Sequence, residues 1–277
     1  MGMTTGVSGT IFCVLTAVTM SLSAASADTV KPSFASKGKL NICTTAGFPP
    51  LTYLDKPSDT RPIGIDIDIA DALAKHWSVT EVKFTTSGFD GLLPSLASGR
   101  CDFVISGIYL NDKRRQSYDG VPYLKSSSAI VTLATNTDIK APEDLSGKRV
   151  ALEAGTAYAN IPQELNEKFA KEGRDLVVAS TYESQVAAAQ QVLIGRADAT
   201  LTEIAEASVR VKQTNGQLKV AYTYPPEGIY GVYIRKSPED LKALREALKE
   251  LHKAGQIEAI AKKYNMPAAD FAVDYDS

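Results

Sequence analysis

Blocks of apolar residues along the chain predict strands and helices in alternation. Residues 39–43 form a short apolar strand, and residues 66–77 follow with Ile67, Ala70 and Ala74 at helical spacing. The same pattern predicts further elements at 82–84, 92–97, 102–106, 129–134, 149–152, 160–171, 176–178, 185–195 and 199–201. Alternation of this kind is typical of βαβ units and predicts a parallel sheet.

The last part of the chain predicts a return to the first unit. Residues 229–234 form an apolar strand, and Ser237 and Pro238 begin a helix with a leucine every three or four residues. The pattern therefore predicts an α/β protein with two lobes and a cleft between them. Ligands of open α/β sheets bind beyond the carboxyl ends of the strands.

The N-terminal segment differs from the rest of the chain. Residues 1–27 contain no Asp, Glu, Lys or Arg, and an apolar run over 11–22 leads to Ala25-Ser26-Ala27. This pattern predicts a signal peptide that ends at Ala27 and an exported mature protein. The missing basic residues at its start leave a retained anchor as the alternative.

Composition excludes several kinds of protein. The 277 residues carry a net charge of −2 with interspersed signs, which gives no basic stripe for nucleic acid. No Cys/His cluster accompanies His76 or His252, so no metal is expected. The sequence has no Walker or G-x-G-x-x-G motif, and no cofactor is expected. Cys43 and Cys101 are expected to be two buried thiols, offset along parallel strands, although an exported protein can form a disulfide.

Four predicted strand ends carry residues suited to a small polar ligand. Phe48 can stack on a ligand, and Arg114 can grip a carboxylate with two hydrogen bonds. A Gly155-Thr156 turn before a helix can hold an anion, and Glu203 can pair with an ammonium group. Each also has an ordinary structural interpretation: Phe48 as a core aromatic, Arg114 as a solvated charge, the Gly155-Thr156 turn as a helix cap and Glu203 as an exposed acid. Their joint placement favours a binding cleft.

The ordered motifs of the chain resemble family 3 of the bacterial extracellular solute-binding proteins, over residues 38–265. The motifs are 48–51, 64–68, 89–102, 106–114, 122–123, 147–150 with 155–156, 195–199 and 262–264. The resemblance implies a two-lobed periplasmic binding protein type II fold with two hinge crossovers. It divides the mature chain into lobe 1 (38–125), an inserted lobe 2 (126–226) and a return to lobe 1 (227–277).

The resemblance also implies roles for particular residues. Arg114 would hold a ligand carboxylate with Thr156 and the backbone around Gly107, which follows Ser106. Phe48 and Phe89 would enclose the ligand body, and Glu203 would meet an α-ammonium group. The implied partners are a small carboxylate ligand and an ABC permease of the inner membrane, with a monomeric protein in the periplasm.

Three departures from the family pattern bear on specificity. Tyr109 and Asn111 stand where small hydroxyl residues are usual, and Glu203 replaces the commoner Asp. Thr45 occupies a position that is acidic in some binders of basic amino acids, which disfavours a Lys or Arg ligand. An opine-like conjugate, or an acid without an amino group, therefore remains open.

An enzyme on the same scaffold is the alternative. Parts of the chain are similar to periplasmic cyclohexadienyl dehydratase, including Ser106-Gly-Ile with Asn111, and Thr202 with Glu206. A desolvated Glu206 would then serve as general acid for loss of water and carbon dioxide from prephenate or arogenate. An exposed helix face is the other interpretation of Glu206, so binding is preferred.

Overall fold

Two five-stranded sheets organise the part of the chain that the structure describes. The computed structural model describes residues 1–4, 6, 30–226 and 228–277, so nearly all of the predicted signal peptide lies outside the described residues. The strands are β1 Lys39–Thr44, β2 Gly47–Phe48, β3 Thr52–Tyr53, β4 Glu81–Thr86, β5 Phe103–Val104, β6 Tyr118–Ser126, β7 Ser128–Leu133, β8 Arg149–Glu153, β9 Val178–Tyr182, β10 Ala199–Glu203, β11 Leu218–Thr223 and β12 Gly228–Arg235.

Helices cover the sheets and connect their parallel strands. The α-helices are α1 Ile65–His76, α2 Phe89–Ala97, α3 Asp112–Arg115, α4 Asn160–Glu172, α5 Gln185–Leu193, α6 Ile204–Gln213, α7 Pro238–Lys253 and α8 Gln256–Lys263. Short 3-10 helices lie at Ser33–Ala35, Pro142–Leu145, Ala157–Ala159 and Ala268–Phe271. Within the described ranges, none of these helices has the length and apolar character needed to cross a membrane.

The strand order separates the chain into two α/β layers. The first sheet has the order β4-β1-β5-β12-β6, and the second has the order β11-β7-β10-β8-β9. β12 pairs with both β5 and β6, which confirms the predicted return of residues 229–234. The predicted parallel pairing is present between β1 and its neighbours β4 and β5, and between β8 and its neighbours β9 and β10. In addition, β12 runs antiparallel in the first sheet and β7 runs antiparallel in the second. An antiparallel strand lets the chain pass directly between the sheets without a crossover helix.

Separate hydrophobic cores support the two layers. In the first, Trp77 and Phe103 are fully buried, with ring centroids 6.4 Å apart in an edge-to-face arrangement. In the second, Phe169 of α4 packs with Leu152 and Leu201. Each sheet therefore buries its own apolar side chains, as independent lobes do.

Strand β6 carries Pro122 and was not predicted from the sequence. Proline cannot donate a ladder hydrogen bond, so its presence argues against a strand interior. The structure places β6 at the edge of the first sheet, and its register with β12 shifts between Tyr230 and Gly231, next to Pro122. The irregular register at an edge position accommodates the proline.

The expectation of two free thiols is wrong, because Cys43 and Cys101 form a disulfide with a Cα–Cα distance of 5.7 Å. Cys43 lies in β1 opposite Val104, so the sequence offset of three residues is real. However, Cys101 lies in the turn before β5, outside the regular strand. The turn brings its Cα within the range that a disulfide spans.

Candidate functional site

A narrow cavity lies between the lobes. Its walls come from both sheets, and they contain six of the residues singled out by the sequence. The first lobe contributes Phe48, Phe89, Gly107, Tyr109 and Arg114, and the second contributes Glu153, Thr156, Ala157 and Tyr158. These residues lie on loops and strand ends, where a ligand of an open α/β sheet is expected.

Arg114 reaches from the first lobe to the second. Its side chain donates to the carbonyl oxygen of Tyr109 at 2.8 Å and to that of Gly155 at 3.0 Å. The short helix α3 orients it, since the Asn111 side chain caps that helix by accepting from the Arg114 N–H at 2.9 Å. A guanidinium has five N–H donors, so further donors remain for an anionic ligand.

Aromatic rings enclose the cavity on the side of the first lobe. Phe48 is 7% exposed, and the Phe89 ring lies below the Arg114 guanidinium with the Arg114 Cζ 5.8 Å from its centroid. Gly107 has a φ of +57°, and a Cβ there would lie 2.7 Å from the Phe48 ring. Only glycine permits both this backbone conformation and this close approach.

A buried carboxyl holds the backbone at Gly107. Asp66, in the first turn of α1, accepts from the Gly107 N–H at 2.8 Å and from the Tyr123 hydroxyl at 2.7 Å. Burial raises the pKa of Asp66 to about 7, although both hydrogen bonds oppose that shift. The Gly107 N–H therefore points into the first lobe rather than into the cavity.

Glu153 places a carboxyl in the wall of the second lobe. It is the last residue of β8 and is 8% exposed. Burial raises its pKa to about 7, and the negative charges of Glu206 and Asp90 act in the same direction. The second lobe thus contributes an acid to the cavity wall. Thr156 lies beside it, with its hydroxyl donating to the Glu153 carbonyl at 2.8 Å.

Glu203 is buried at the end of β10 and caps α6. Its carboxylate accepts from the N–H groups of Ala205 at 2.8 Å and Glu206 at 3.0 Å, and burial raises its pKa to about 7. Tyr158 and Tyr230 lie nearby, with their hydroxyl oxygens 3.4 Å apart. Glu203 itself is not among the residues that line the cavity.

Three other residues predicted for the site, Thr45, Ser106 and Asn111, do not line the cavity. Thr45 and Ser106 are buried beneath the cavity wall, where the Ser106 hydroxyl lies 2.9 Å from the Thr45 nitrogen and 3.0 Å from its hydroxyl. Asn111 borders a larger cleft that adjoins the cavity at Tyr109 and Tyr158. Tyr109 separates the two spaces, and its ring stacks on Tyr230 with centroids 4.5 Å apart.

Glu206, the candidate general acid of the enzyme alternative, is held in an ion pair. Its carboxylate accepts from Arg210, with Nε at 2.8 Å and a second, shorter contact from Nη2, and from the Thr202 hydroxyl at 2.9 Å. Burial raises its pKa, and Arg210 opposes that shift. Arg210 also reaches the Gly47 carbonyl of the first lobe at 3.5 Å. Glu206 is therefore engaged below the cavity and does not line it.

The sequence missed Glu153, Ala157 and Tyr158 as wall residues. Glu153 directly precedes the Gly155-Thr156 turn, so its position at a strand end was the available signal. Tyr158 lies in a 3-10 turn, and its contact with Tyr230 of the other lobe joins residues 72 positions apart. No cluster of three or more metal-ligating side chains occurs among the described residues.

The chain is similar to known binding proteins over most of its length. The model of the bacterial extracellular solute-binding proteins, family 3, matches residues 40–267. The L-cystine-binding protein TcyJ of Escherichia coli (strain K12) is 32% identical over 244 residues, which are 84% of this chain and 88% of TcyJ.

The chain is also similar to solved structures of amino-acid-binding proteins. An ancestral arginine-binding protein bound to arginine is 33% identical, with a TM-score of 0.74 over 82% of this chain and 98% of that chain. An ancestral amino acid-binding protein, a precursor of cyclohexadienyl dehydratase, is 30% identical, with a TM-score of 0.71 over 82% and 96% of the two chains. The fold is that of a periplasmic binding protein type II, and the chain belongs to family 3 of the bacterial extracellular solute-binding proteins.

Proposed function

We propose that this solute-binding protein of an ABC importer captures its ligand by the carboxylate, between Arg114 of one lobe and Thr156 of the other. The contact of Arg114 with Gly155 carries the proposal, because it puts a cation at the junction of the two lobes. Arginine binds a carboxylate with two parallel hydrogen bonds, and the low exposure of the cavity strengthens that interaction.

We infer that the ligand stabilises a closed arrangement of the lobes. The first sheet and the helices packed on it form lobe 1, and the sheet of β7 to β11 forms lobe 2, in keeping with boundaries at 125/126 and 226/227. The chain crosses between the sheets after Ser126, and β12 returns after β11. A ligand that contacts Arg114 and Thr156 together bridges both lobes, so it favours the closed state over an open one.

Phe48 and Phe89 would enclose the body of the ligand, and Glu203 would meet an α-ammonium group. Both proposals extend the amino-acid binding of the named relatives to this chain. Cystine and arginine, the ligands named for these relatives, both carry an ammonium group and a carboxylate on the same α-carbon. The buried acid at Glu203 and the cation at Arg114 match that dipole in sign.

The chain is a binding protein rather than an enzyme, as its named relatives are. Glu206, the residue considered as general acid of a dehydratase, is held by Arg210 and Thr202 and does not line the cavity. The protein acts outside the cytoplasm. We propose that residues 1–27 direct its export to the periplasm, where a monomer delivers the ligand to an inner-membrane permease.

A thermal-shift screen of ligand-stripped protein tests the proposal. A ligand that binds the folded state raises the melting temperature, so at least one amino acid or related carboxylate should stabilise the wild type. Arg114→Ala should lower the affinity for that compound by about 100-fold or more, since it removes a partly buried charge partner.

Lys113→Ala is the matched control, because it removes a positive charge from the exposed face of the same short helix. It should bind like the wild type. Equal binding by Arg114→Ala and wild type would refute the assignment of Arg114. Steady production of phenylpyruvate from prephenate, lost in Glu206→Gln, would establish the enzyme instead.

A further inference from the structure

We propose that Glu153 pairs with a cation on the ligand's side chain, so that the site selects a basic amino acid over a neutral one of the same shape. This inference rests on the proposed function, because it assumes that Arg114 holds the ligand carboxylate. It names a residue of the second lobe as the specificity determinant.

The location of Glu153 fits the side-chain end of such a ligand. The segment from Glu153 to Gly155 lies against the start of α2, where a Cβ on Gly155 would be 2.9 Å from the Asp90 Cα. Phe89, which lines the cavity, directly precedes Asp90. Glu153 is therefore on the side of the cavity where Phe89 would hold the ligand body.

The carboxyl of Glu153 lacks a cationic partner within the described ranges. The Gln185 N–H at the start of α5 acts on this carboxyl and lowers its pKa, against the effect of burial. Arg210 is the nearby cation, but it is bound to Glu206 and their charges cancel. A buried carboxylate without a partner is unfavourable, so a cation that enters the cavity would be bound strongly.

The charges of the site match a ligand with three ionic groups. Arg114 would meet the α-carboxylate, and Glu203, close to Tyr158 and Tyr230, would meet the α-ammonium. Glu153, close to Asp90, remains for a second cation. Between these ends, the rings of Phe48 and Phe89 offer faces on which a guanidinium or the stem of a lysine can pack.

The structure also removes the argument from Thr45 against a basic ligand. The Thr45 hydroxyl lies 3.0 Å from Ser106 in the interior of the first lobe, and Thr45 does not line the cavity. An acid at that position is therefore unnecessary if the opposite lobe supplies the negative charge. Glu153 supplies it.

Calorimetric titration with two matched pairs of ligands tests the inference. L-arginine and L-citrulline differ in charge but little in shape, and L-lysine and L-norleucine provide a second such pair. Wild-type protein should bind the cationic member of each pair at least about tenfold more tightly, as expected for a charge-assisted contact. Equal affinities within the pairs would overturn the inference.

Glu153→Gln should lower the affinity for arginine about tenfold or more and change that for citrulline by no more than about threefold. Glu167→Gln, on the exposed face of α4 in the same lobe, is the control and should bind like the wild type. A melting temperature of ligand-free Glu153→Gln at or above that of wild type shows that the variant is folded.

Equal losses for arginine and citrulline in Glu153→Gln would place Glu153 at the end that both ligands share, which contradicts the inference. Failure of all four compounds to bind the wild type would overturn the choice of a basic amino acid. Neither result bears on Arg114, whose role the thermal-shift screen tests with its own variant.

Discussion

The two walls of the cleft differ in how they are built. The first lobe offers aromatic rings and one cation, and the disulfide between Cys43 and Cys101 ties the base of its binding loop. The second lobe has no cysteine between residues 126 and 226 and buries three acids, Glu153, Glu203 and Glu206. The comparison indicates that the first lobe is a firm platform that presents Arg114. The second lobe, residues 126–226, is an acidic cover whose stability increases most on ligand binding.

The largest effect on the platform should follow removal of the disulfide. Cys43→Ala with Cys101→Ala opens a loop with a sequence separation of 58, which should lower the free energy of unfolding by about 4 kcal/mol. Denaturant titration of the variant, and of wild type with a reductant, measures it. An unchanged midpoint in both would show that the platform does not depend on this bond.

The corresponding test of the cover is Arg210→Ala. It leaves the Glu206 carboxylate buried without its partner, so the free energy of unfolding should fall by about 3 kcal/mol. Arg149→Ala, which removes an exposed ion pair with Asp198, should have a much smaller effect on the free energy of unfolding. Similar losses in the two variants would contradict the contrast between buried and exposed pairs.

Asp66→Asn probes the support of the platform beneath Gly107. The amide retains one acceptor oxygen, so either the Tyr123 hydroxyl loses its acceptor or the Gly107 N–H keeps only its longer contact with the Tyr123 hydroxyl, at 3.2 Å. The expected loss is about 2 kcal/mol of unfolding free energy, with weaker ligand binding, because a buried donor becomes unsatisfied. Urea unfolding and titration with the best ligand measure the two effects, and a fully stable variant would contradict the assigned role.

The pH dependence of stability is the most specific test of the buried acids. Asp66, Glu153 and Glu203 have pKa values raised to about 7, so the folded state binds more protons than the unfolded state between about pH 4.5 and 7. The contribution of these groups to stability is therefore present at low pH and is lost as the pH rises through 7.

Two of these three acids lie in the cover. Glu153→Gln should therefore reduce the loss of stability between pH 5 and pH 7.5. Urea midpoints at the two pH values measure it, with Glu167→Gln as the control. The same change in urea midpoint between the two pH values in Glu153→Gln and wild type would show that burial of the Glu153 carboxylate does not destabilise the ligand-free protein.

The sequence predicted those parts of the fold that local pattern controls. Strand β1 and helix α1 appear where the spacing of apolar residues placed them. The predicted strand at 176–178 is displaced to Val178–Tyr182, at the edge of the second sheet. Leu176 and Val178 are exposed there, so their apolar character did not mark buried positions. Helix α6 was missed, since its cap, Glu203, was interpreted only as a ligand contact.

The site was predictable where a residue lies at the end of a predicted strand or in the loop that follows it. Arg114, Thr156 and Phe48 were found from that rule, and all three line the cavity. Thr45 and Ser106 met the same criterion, but their hydroxyl groups are hydrogen-bonded to each other in the interior of the first lobe. Contacts between distant parts of the chain decide such cases, and the pattern along one sequence does not contain them.

The most direct test is a crystal structure with the compound that gives the largest shift in melting temperature. We expect a ligand carboxylate within hydrogen-bonding distance of the Arg114 guanidinium and of Thr156, with both lobes in contact with the ligand. A ligand bound elsewhere, or bound in the cleft with its carboxylate away from Arg114, would contradict the account.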